Sequence, residues 1–335
     1  MNKTVYKERS HIYPDNAVAV IIVHFGDVRV TNRCIQSLSR FAADTHVFIA
    51  NNGGLHDHDQ LERKITHRYP DLQLKTITLP CNKGFGSGCN AAIKEALKHA
   101  EIKWLWLLNN DAYITRNTLH ALKVESRSFP NAIIGATILH SDAPDNIQVA
   151  GGCSYNSLTS IIRPHHTNKP FASLQTLPHL KLSYVNGASM FMSRALVERV
   201  GFFDERFFLY CEEVDYCRRA ISMGFSLRWC KQAIVYHKGG ASTGSTLSDP
   251  IRATKRSTYH ETRSAILYTV KHIPSCLPIL LLLRSIGKMH LLCYRRQFSL
   301  IPSVIFGIVD AFIYFKPQLS GKYYQPYLIV NKGSE

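Results

Sequence analysis

The sequence predicts an α/β fold built around a doubly wound sheet, and three observations carry that expectation. Apolar, β-branched runs recur between stretches of helical spacing. A glycine-rich segment leads into a strong helix former, and a later apolar run breaks into polar residues at its carboxyl end, where ligands of open α/β sheets collect.

From Ala17, AVAVIIVHF is continuous, rich in β-branched residues and too short for a typical helix, so it predicts a strand buried on both faces. The polar stretch after it has helical spacing, with Cys34, Leu38 and Phe41 near one face. HVFIA, ending in Asn51-Asn52-Gly53-Gly54, and LQLKTITLP predict the next strands. NKGFGSGCN, residues 82–90, predicts a flexible loop opening the helix of AAIKEALKHA, and WLWLLNNDAYI a buried strand with a polar exit. Between about Ile133 and Pro178 the pattern weakens into short strands and a proline-containing loop, expected to be a substrate-facing insertion. From LSYVNGASMF to IVYHKGG it alternates again between strand, helix, acidic loop, helix and strand.

The 335 residues are 45% hydrophobic, enough for a sizeable core and against extensive disorder. Lys and Arg outnumber Asp and Glu 40 to 24, a net charge of +16 with neutral histidines, which favours phosphorylated ligands or anionic lipid. Nucleic acid would use the same charge, but no zinc spacing, helix-turn-helix signal or RNA-recognition aromatic motif accompanies it. The nine cysteines include no CxxC pair, which points to a reducing compartment, and residues 1–16 form a polar tail without the apolar core of a secretory signal.

Three constellations carry chemistry. Asn109-Asn110-Asp111 ends a buried strand, where a carboxylate is costly unless it meets a cation such as Mg²⁺ or Mn²⁺; a turn or helix cap is the alternative on these residues alone. Glu212-Glu213-Val214-Asp215 crowds three carboxylates after an aromatic run, which would raise a pKa and favour a general base, with a solvated helix start as the alternative. His237 ends another apolar strand, and alone would be an ordinary hydrogen-bonded histidine.

Taken in order over about residues 17–242, these motifs resemble glycosyltransferase family 2, whose members have the GT-A fold, a Rossmann-like mixed sheet flanked by helices. The resemblance is closest to its bacterial branch of rhamnosyltransferases and galactofuranosyltransferases of cell-surface polysaccharide synthesis, such as O-antigen. It implies domains at 17–245 (GT-A) and 246–335 (helical, membrane-associating). It places Asn51 and Asn52 at the nucleotide, with Asn51 replacing the usual aspartate, and Asn82, Lys83, Gly84, Phe85, Gly88 and Asn90 in the donor loop. Asn109 and Asn110 precede Asp111, the expected metal ligand, in a variant Asp-x-Asp motif, and Gly187 lies in the stretch leading from the sugar pocket. Glu213 falls at the base position, with Asp215 as the fallback, and His237 matches the histidine that completes metal coordination in some relatives.

The activity so implied is inverting transfer of a sugar, first rhamnose or another deoxysugar from a dTDP- or UDP-donor, with Mn²⁺ or Mg²⁺. The acceptor would be a glycan on a polyprenyl diphosphate. A noncatalytic nucleotide-sugar-binding protein of the same fold is the alternative, because Asn51 and Asn109 stand where acids are usual. Tyr259 and Arg263 resemble a Tyr-x-x-x-Arg element found past the catalytic domain in this branch. The apolar runs from Ile273 onward, with Arg284, Lys288, Arg295 and Arg296, are expected to lie as interfacial helices on an anionic membrane surface, at the cytoplasmic face of the inner membrane.

Overall fold

The computed structural model describes residues 17–42, 44–54, 59, 61, 63–239 and 254–313. The N-terminal tail and the residues around 245 at the expected domain boundary lie outside the described residues.

The parallel half of the sheet is built first, from β1 (Ala17–His24), β2 (His46–Asn51), β3 (Gln73–Thr78) and β4 (Ile102–Leu108). Helix α1 (Val28–Phe41) crosses from β1 to β2, and α2 (Phe85–Ala96) crosses from β3 to β4. Then come β5 (Ala112–Ile114), α3 (Thr118–Ser128), β6 (Ala132–His140) and β7 (Ile147–Ala150). Three short strands, β8 (Gly152–Tyr155), β9 (Ile162–Pro164) and β10 (Tyr184–Val185), form a separate small sheet in the order β10-β8-β9. The order closes with β11 (Ser189–Ser193), α4 (Arg194–Val200), α5 (Glu212–Ser222) and β12 (Ser226–His237).

The large sheet runs β3-β2-β1-β4-β11-β6-β12-β5, with β7 on β6. It is mixed, because β11 pairs antiparallel with both β4 and β6, and β5 antiparallel with β12. Strand β1 shows why the sequence there is continuously apolar. Ala19, Ile21 and Val23 join the core beneath α2, α4 and α5, while Val18, Val20 and Ile22 join the core beneath α1 and α3. Where β4 meets β11, the fully buried Trp106 finds a partner for its indole, Nε1 donating to Ser189 Oγ at 2.9 Å.

The glycine-rich segment differs from its expected form. Helix α2 starts at Phe85, so Gly86 and Gly88 are inside its first turns and only residues 82–84 are loop. The glycines serve close packing there: a Cβ at Gly88 would overlap the Val23 side chain, and one at Gly86 would press on Phe203.

Beyond the sheet, α6 (Lys255–His272) begins with a capping box between Thr254 and Ser257. Ile266, Leu267 and Tyr268 of α6 belong to the same core as α2 and α5, so this helix is an integral layer of the fold. Then follow α7 (Leu277–Leu282), a π-turn at Leu283–Gly287, α8 (Lys288–Tyr294) and α9 (Ile301–Ile313). Helix α9 returns onto α6, where Tyr259 donates to Asp310 Oδ2 at 2.6 Å. The stretch Pro274–Tyr294 is long and apolar enough to cross a membrane by length and composition. Two of its basic residues do not face outward as expected: Arg284 and Lys288 bind the Glu261 carboxylate of α6 at 2.8 and 2.7 Å. Burial of the Arg284 side chain makes that pairing preferable to exposure at a surface.

Candidate active site

A cleft of about 200 Å³ opens at the carboxyl ends of β1 and β4 and is lined by residues from the glycine-rich segment, the strand-end Asn-Asn-Asp triplet, the Glu212-Glu213 pair and His237. Asn52, Asn82, Gly84 and Phe85 form one wall, Asn109, Asn110, Asp111 and His237 the floor, and Glu212 and Glu213 the far wall.

The first wall is a latch. Asn52 Nδ2 donates to Asn82 Oδ1 and to the Gly84 carbonyl, each at 3.0 Å, and Asn52 Oδ1 accepts from the Lys83 backbone N–H at 3.0 Å. Asn82 Oδ1 also accepts from Gly84 N–H at 2.9 Å. Gly84 has φ +91° and ψ 170°, a region essentially reserved for glycine, and a Cβ there would overlap the backbone of Phe208, whose carbonyl accepts from Phe85 N–H at 3.0 Å. Gly84→Ala is therefore expected to lower stability by about 2–3 kcal/mol, read as a fall in the denaturation midpoint. A neutral result would mean that the latch does not depend on this close approach.

Two residues expected at the donor, Asn51 at the nucleotide and Asn90 in the 82–90 segment, make structural bonds. Asn51 is fully buried and ties its own turn, Nδ2 donating to the Gly54 carbonyl at 2.9 Å and Oδ1 accepting from Gly53 N–H at 3.0 Å. It shapes the turn before Asn52 and is not in the cleft lining. Asn90 reaches 113 residues along the chain, exchanging bonds with the Phe203 backbone at 2.8 and 2.9 Å, and so fixes the segment before the acidic helix.

On the floor, the β12–β5 register sets His237 opposite Ala112, which brings the preceding Asp111 beside the imidazole. Asp111 Oδ1 lies 3.0 Å from His237 Nε2, with side chains only 6% and 13% exposed. Asn109 Nδ2 lies 3.2 Å from the same nitrogen, and His237 Nδ1 lies 2.7 Å from Gln148 Oε1. With Nδ1–H donated to Gln148, Nε2 presents a lone pair 3.0 Å from the Asp111 carboxylate oxygen. Two electron-rich atoms so placed repel unless a proton or a metal cation joins them, and a carboxylate oxygen with an oriented imidazole is a donor set for Mn²⁺ or a similar divalent ion. Asn110 instead donates to Thr31 Oγ1 at 3.0 Å, tying the floor to α1.

The far wall is reached through Tyr210 and Cys211, both at φ +66°, uncommon for residues with side chains and a mark of a constrained entry to α5. Burial, and then the neighbouring charge of Glu213, push the Glu212 carboxyl well above its ordinary range, and Glu212 Oε2 has no hydrogen-bond partner among the described residues. Burial also pushes Glu213 up, although its own and the Gly187 backbone N–H groups stabilise the charged form. Gly187 is where it is because a Cβ would overlap the Glu213 carboxylate.

Asp215 is not in this cleft. It is fully buried on the other side of α5, bound by Arg219 at 2.9 Å, Lys271 at 2.5 Å and His272 at 2.7 Å. A carboxylate paired with Arg219 and Lys271 and hydrogen-bonded to His272 is a scaffold ion, so the structure does not place the expected fallback base in the cleft.

Two further residues, Gln148 and Arg256, complete the site without a motif to announce them. Gln148 lies in the region of weak pattern, and no local signal marks it. Arg256 lines the cleft from the first turn of α6, its guanidinium over Phe25 at 5.4 Å and Phe208 at 5.6 Å. Only its place three residues before Tyr259 could have pointed to it.

A family model described as glycosyltransferase like family 2 matches residues 14–259. The chain is 26% identical over 233 residues to an N-acetylglucosaminyl-diphospho-decaprenol L-rhamnosyltransferase of Mycobacterium tuberculosis, a span of 64% of this chain and 73% of the relative. Among solved structures it is similar to mannosyltransferase PcManGT from Pyrobaculum calidifontis in complex with GDP-Man and Mn²⁺, at TM-score 0.52 and 13% identity over 90% of this chain and 88% of that one. It is similar also to GalNAc-T7 with UDP, GalNAc and Mn²⁺, at TM-score 0.53 and 10% identity, over 75% of this chain but only 48% of that one. At these identities the structural likeness shows a shared fold.

Proposed function

The chain belongs to the glycosyltransferase like family 2, and from that premise we propose that it is an inverting transferase moving a sugar from a nucleoside diphosphate to a lipid-linked glycan. The observation that carries this reading is the buried Glu213 carboxylate, pushed by burial above its ordinary range and facing the same cleft as Asp111 and His237. Glu213 takes the proton of an acceptor hydroxyl, the oxygen attacks the anomeric carbon, and the nucleoside diphosphate leaves from the opposite face. Inversion follows from a single displacement.

Asp111 and His237 would hold a divalent cation, Mn²⁺ or Mg²⁺, which when bound supplies positive charge to the leaving diphosphate. Asn52 and the 82–84 loop shape the nucleotide wall, and Arg256 adds a fixed positive charge to the cleft. The M. tuberculosis relative, an N-acetylglucosaminyl-diphospho-decaprenol L-rhamnosyltransferase, supports a rhamnosyl donor and a polyprenyl-diphosphate-linked acceptor. Exposed Leu282, Ile286, Phe298, Phe306 and Ile313 on the C-terminal helices, with Arg295 and Arg296, support peripheral docking at the cytoplasmic face of the inner membrane.

The test is nucleoside diphosphate release from dTDP-, UDP- and GDP-sugars, with Mn²⁺, with Mg²⁺ or with chelator, in the presence of vesicles bearing lipid-linked acceptors. Metal-dependent release from one donor is expected. Donor binding without turnover across the panel would favour the noncatalytic reading, which Asn51 and Asn109 motivate. Because Gln148 orients His237, Gln148→Leu is expected to raise the Mn²⁺ concentration for half-maximal rate by about 10–100-fold. An unchanged metal requirement would remove His237 from the ligand set.

A further inference from the structure

At the end of the sheet opposite the cleft, three side chains with metal-binding chemistry meet. His46 is the first residue of β2, and His99 and Glu101 belong to the turn between α2 and β4. One donor atom from each lies within 4.8 Å of the others. His99 Nδ1 and Glu101 Oε1 are 3.3 Å apart, close to the roughly 3.4 Å edge that tetrahedral zinc requires at its usual bond lengths to nitrogen and oxygen.

The turn is braced from behind. Arg194 donates to the carbonyls of Leu97 and His99, each at 2.8 Å, and Ile102 N–H closes onto the His99 carbonyl at 3.3 Å. His46 is buried, whereas the side chains of His99 and Glu101 are 39% and 25% exposed, so a cation can enter from solvent on their side.

We propose that His46, His99 and Glu101 form a zinc site that staples the start of β2 to the end of α2. Two imidazoles and one carboxylate suit zinc, with water completing a fourth position. The two elements joined carry the donor wall at their far ends, Asn52 just after β2 and the 82–84 loop before α2. Helix α2 is 12 residues long, so the staple sits about 18 Å from the cleft and fixes the wall through the elements themselves. This site is independent of the reading of the cleft.

The test uses the full chain without a histidine tag, in an Asp111→Ala/His237→Ala background that removes the cleft donors. Zinc is titrated against a chromophoric chelator, and Tm is followed with and without metal. One equivalent bound is expected, with Tm raised by roughly 3–5 °C at a hundredfold excess over Kd. Adding His99→Ala, or separately the conservative Glu101→Gln, should weaken binding at least tenfold while leaving the metal-free Tm within about 2 °C. Absence of a bound equivalent in the background, or binding undiminished in both variants, would overturn the proposal.

Discussion

Glu213→Gln is expected to lower kcat by about 10²–10⁴-fold while leaving Tm unchanged or raised. The amide keeps the size of the carboxylate, and its oxygen can still accept from Gly187 N–H, so the packing around it survives. What it removes is the ability to take a proton, together with the cost of a buried charge beside Glu212. Burial raises Glu213 in the folded state, so the native protein holds a proton that the unfolded chain releases. Its contribution to stability is therefore fully present below the ordinary carboxylate range and is lost as pH rises through the raised folded value. The neutral amide of the variant carries no such penalty, and its advantage in Tm should grow from acid toward neutral pH. The acid limb of the wild-type rate profile should correspondingly lie above an ordinary glutamate. Nucleoside diphosphate release and calorimetry across pH check both halves; a kcat loss under tenfold would move the base to Glu212, the other carboxylate in the cleft.

The elements most legible in the sequence were those whose signal is local. Strand β1 alternates its side chains between two cores, so every residue from Ala17 to Val23 had to be apolar, and the run shows it. Asn109-Asn110-Asp111 was visible because polar residues end a buried strand abruptly. The rest depended on partners distant in sequence. Gln148 matters because it is hydrogen-bonded to a histidine 89 residues away, and no spacing reveals that. Asn51 and Asn52 are adjacent and of one type, yet the first closes a turn while the second holds the donor loop, because successive residues at a strand end point in different directions. Arg284 and Lys288 looked like lipid-facing charges until Glu261, on α6, supplied a counter-ion.

The same dependence separates Asp215 from Glu213, two residues apart on α5, and it sets the second large expectation. Asp215→Asn should cost about 3–5 kcal/mol, because it leaves Lys271, His272 and Arg219 crowded around a neutral group. Lys271 also binds Asp204 at 2.7 Å, and Arg263 and Ser264 of α6 donate to the carbonyls of Arg206 and Leu209, each at 2.8 Å. Helix α6 thereby holds the whole segment that leads to the acidic wall. Burial alone would raise Asp215, but hydrogen bonds from His272 and Lys271 and the charge of Arg219 outweigh it and hold the carboxyl below its ordinary value. The sign is thus opposite to that of Glu213: the stability from Asp215 is present above the ordinary aspartate range and is lost as pH falls through the lowered folded value. Asp215→Asn should flatten the acid side of the stability profile and, below its reduced Tm, keep the acid limb of the rate profile where the wild type has it. Turnover abolished with Tm unchanged would instead make Asp215 the base. That outcome would require α5 to turn its other face to the cleft, breaking the Lys271 and His272 contacts that tie the acidic wall to the C-terminal helices.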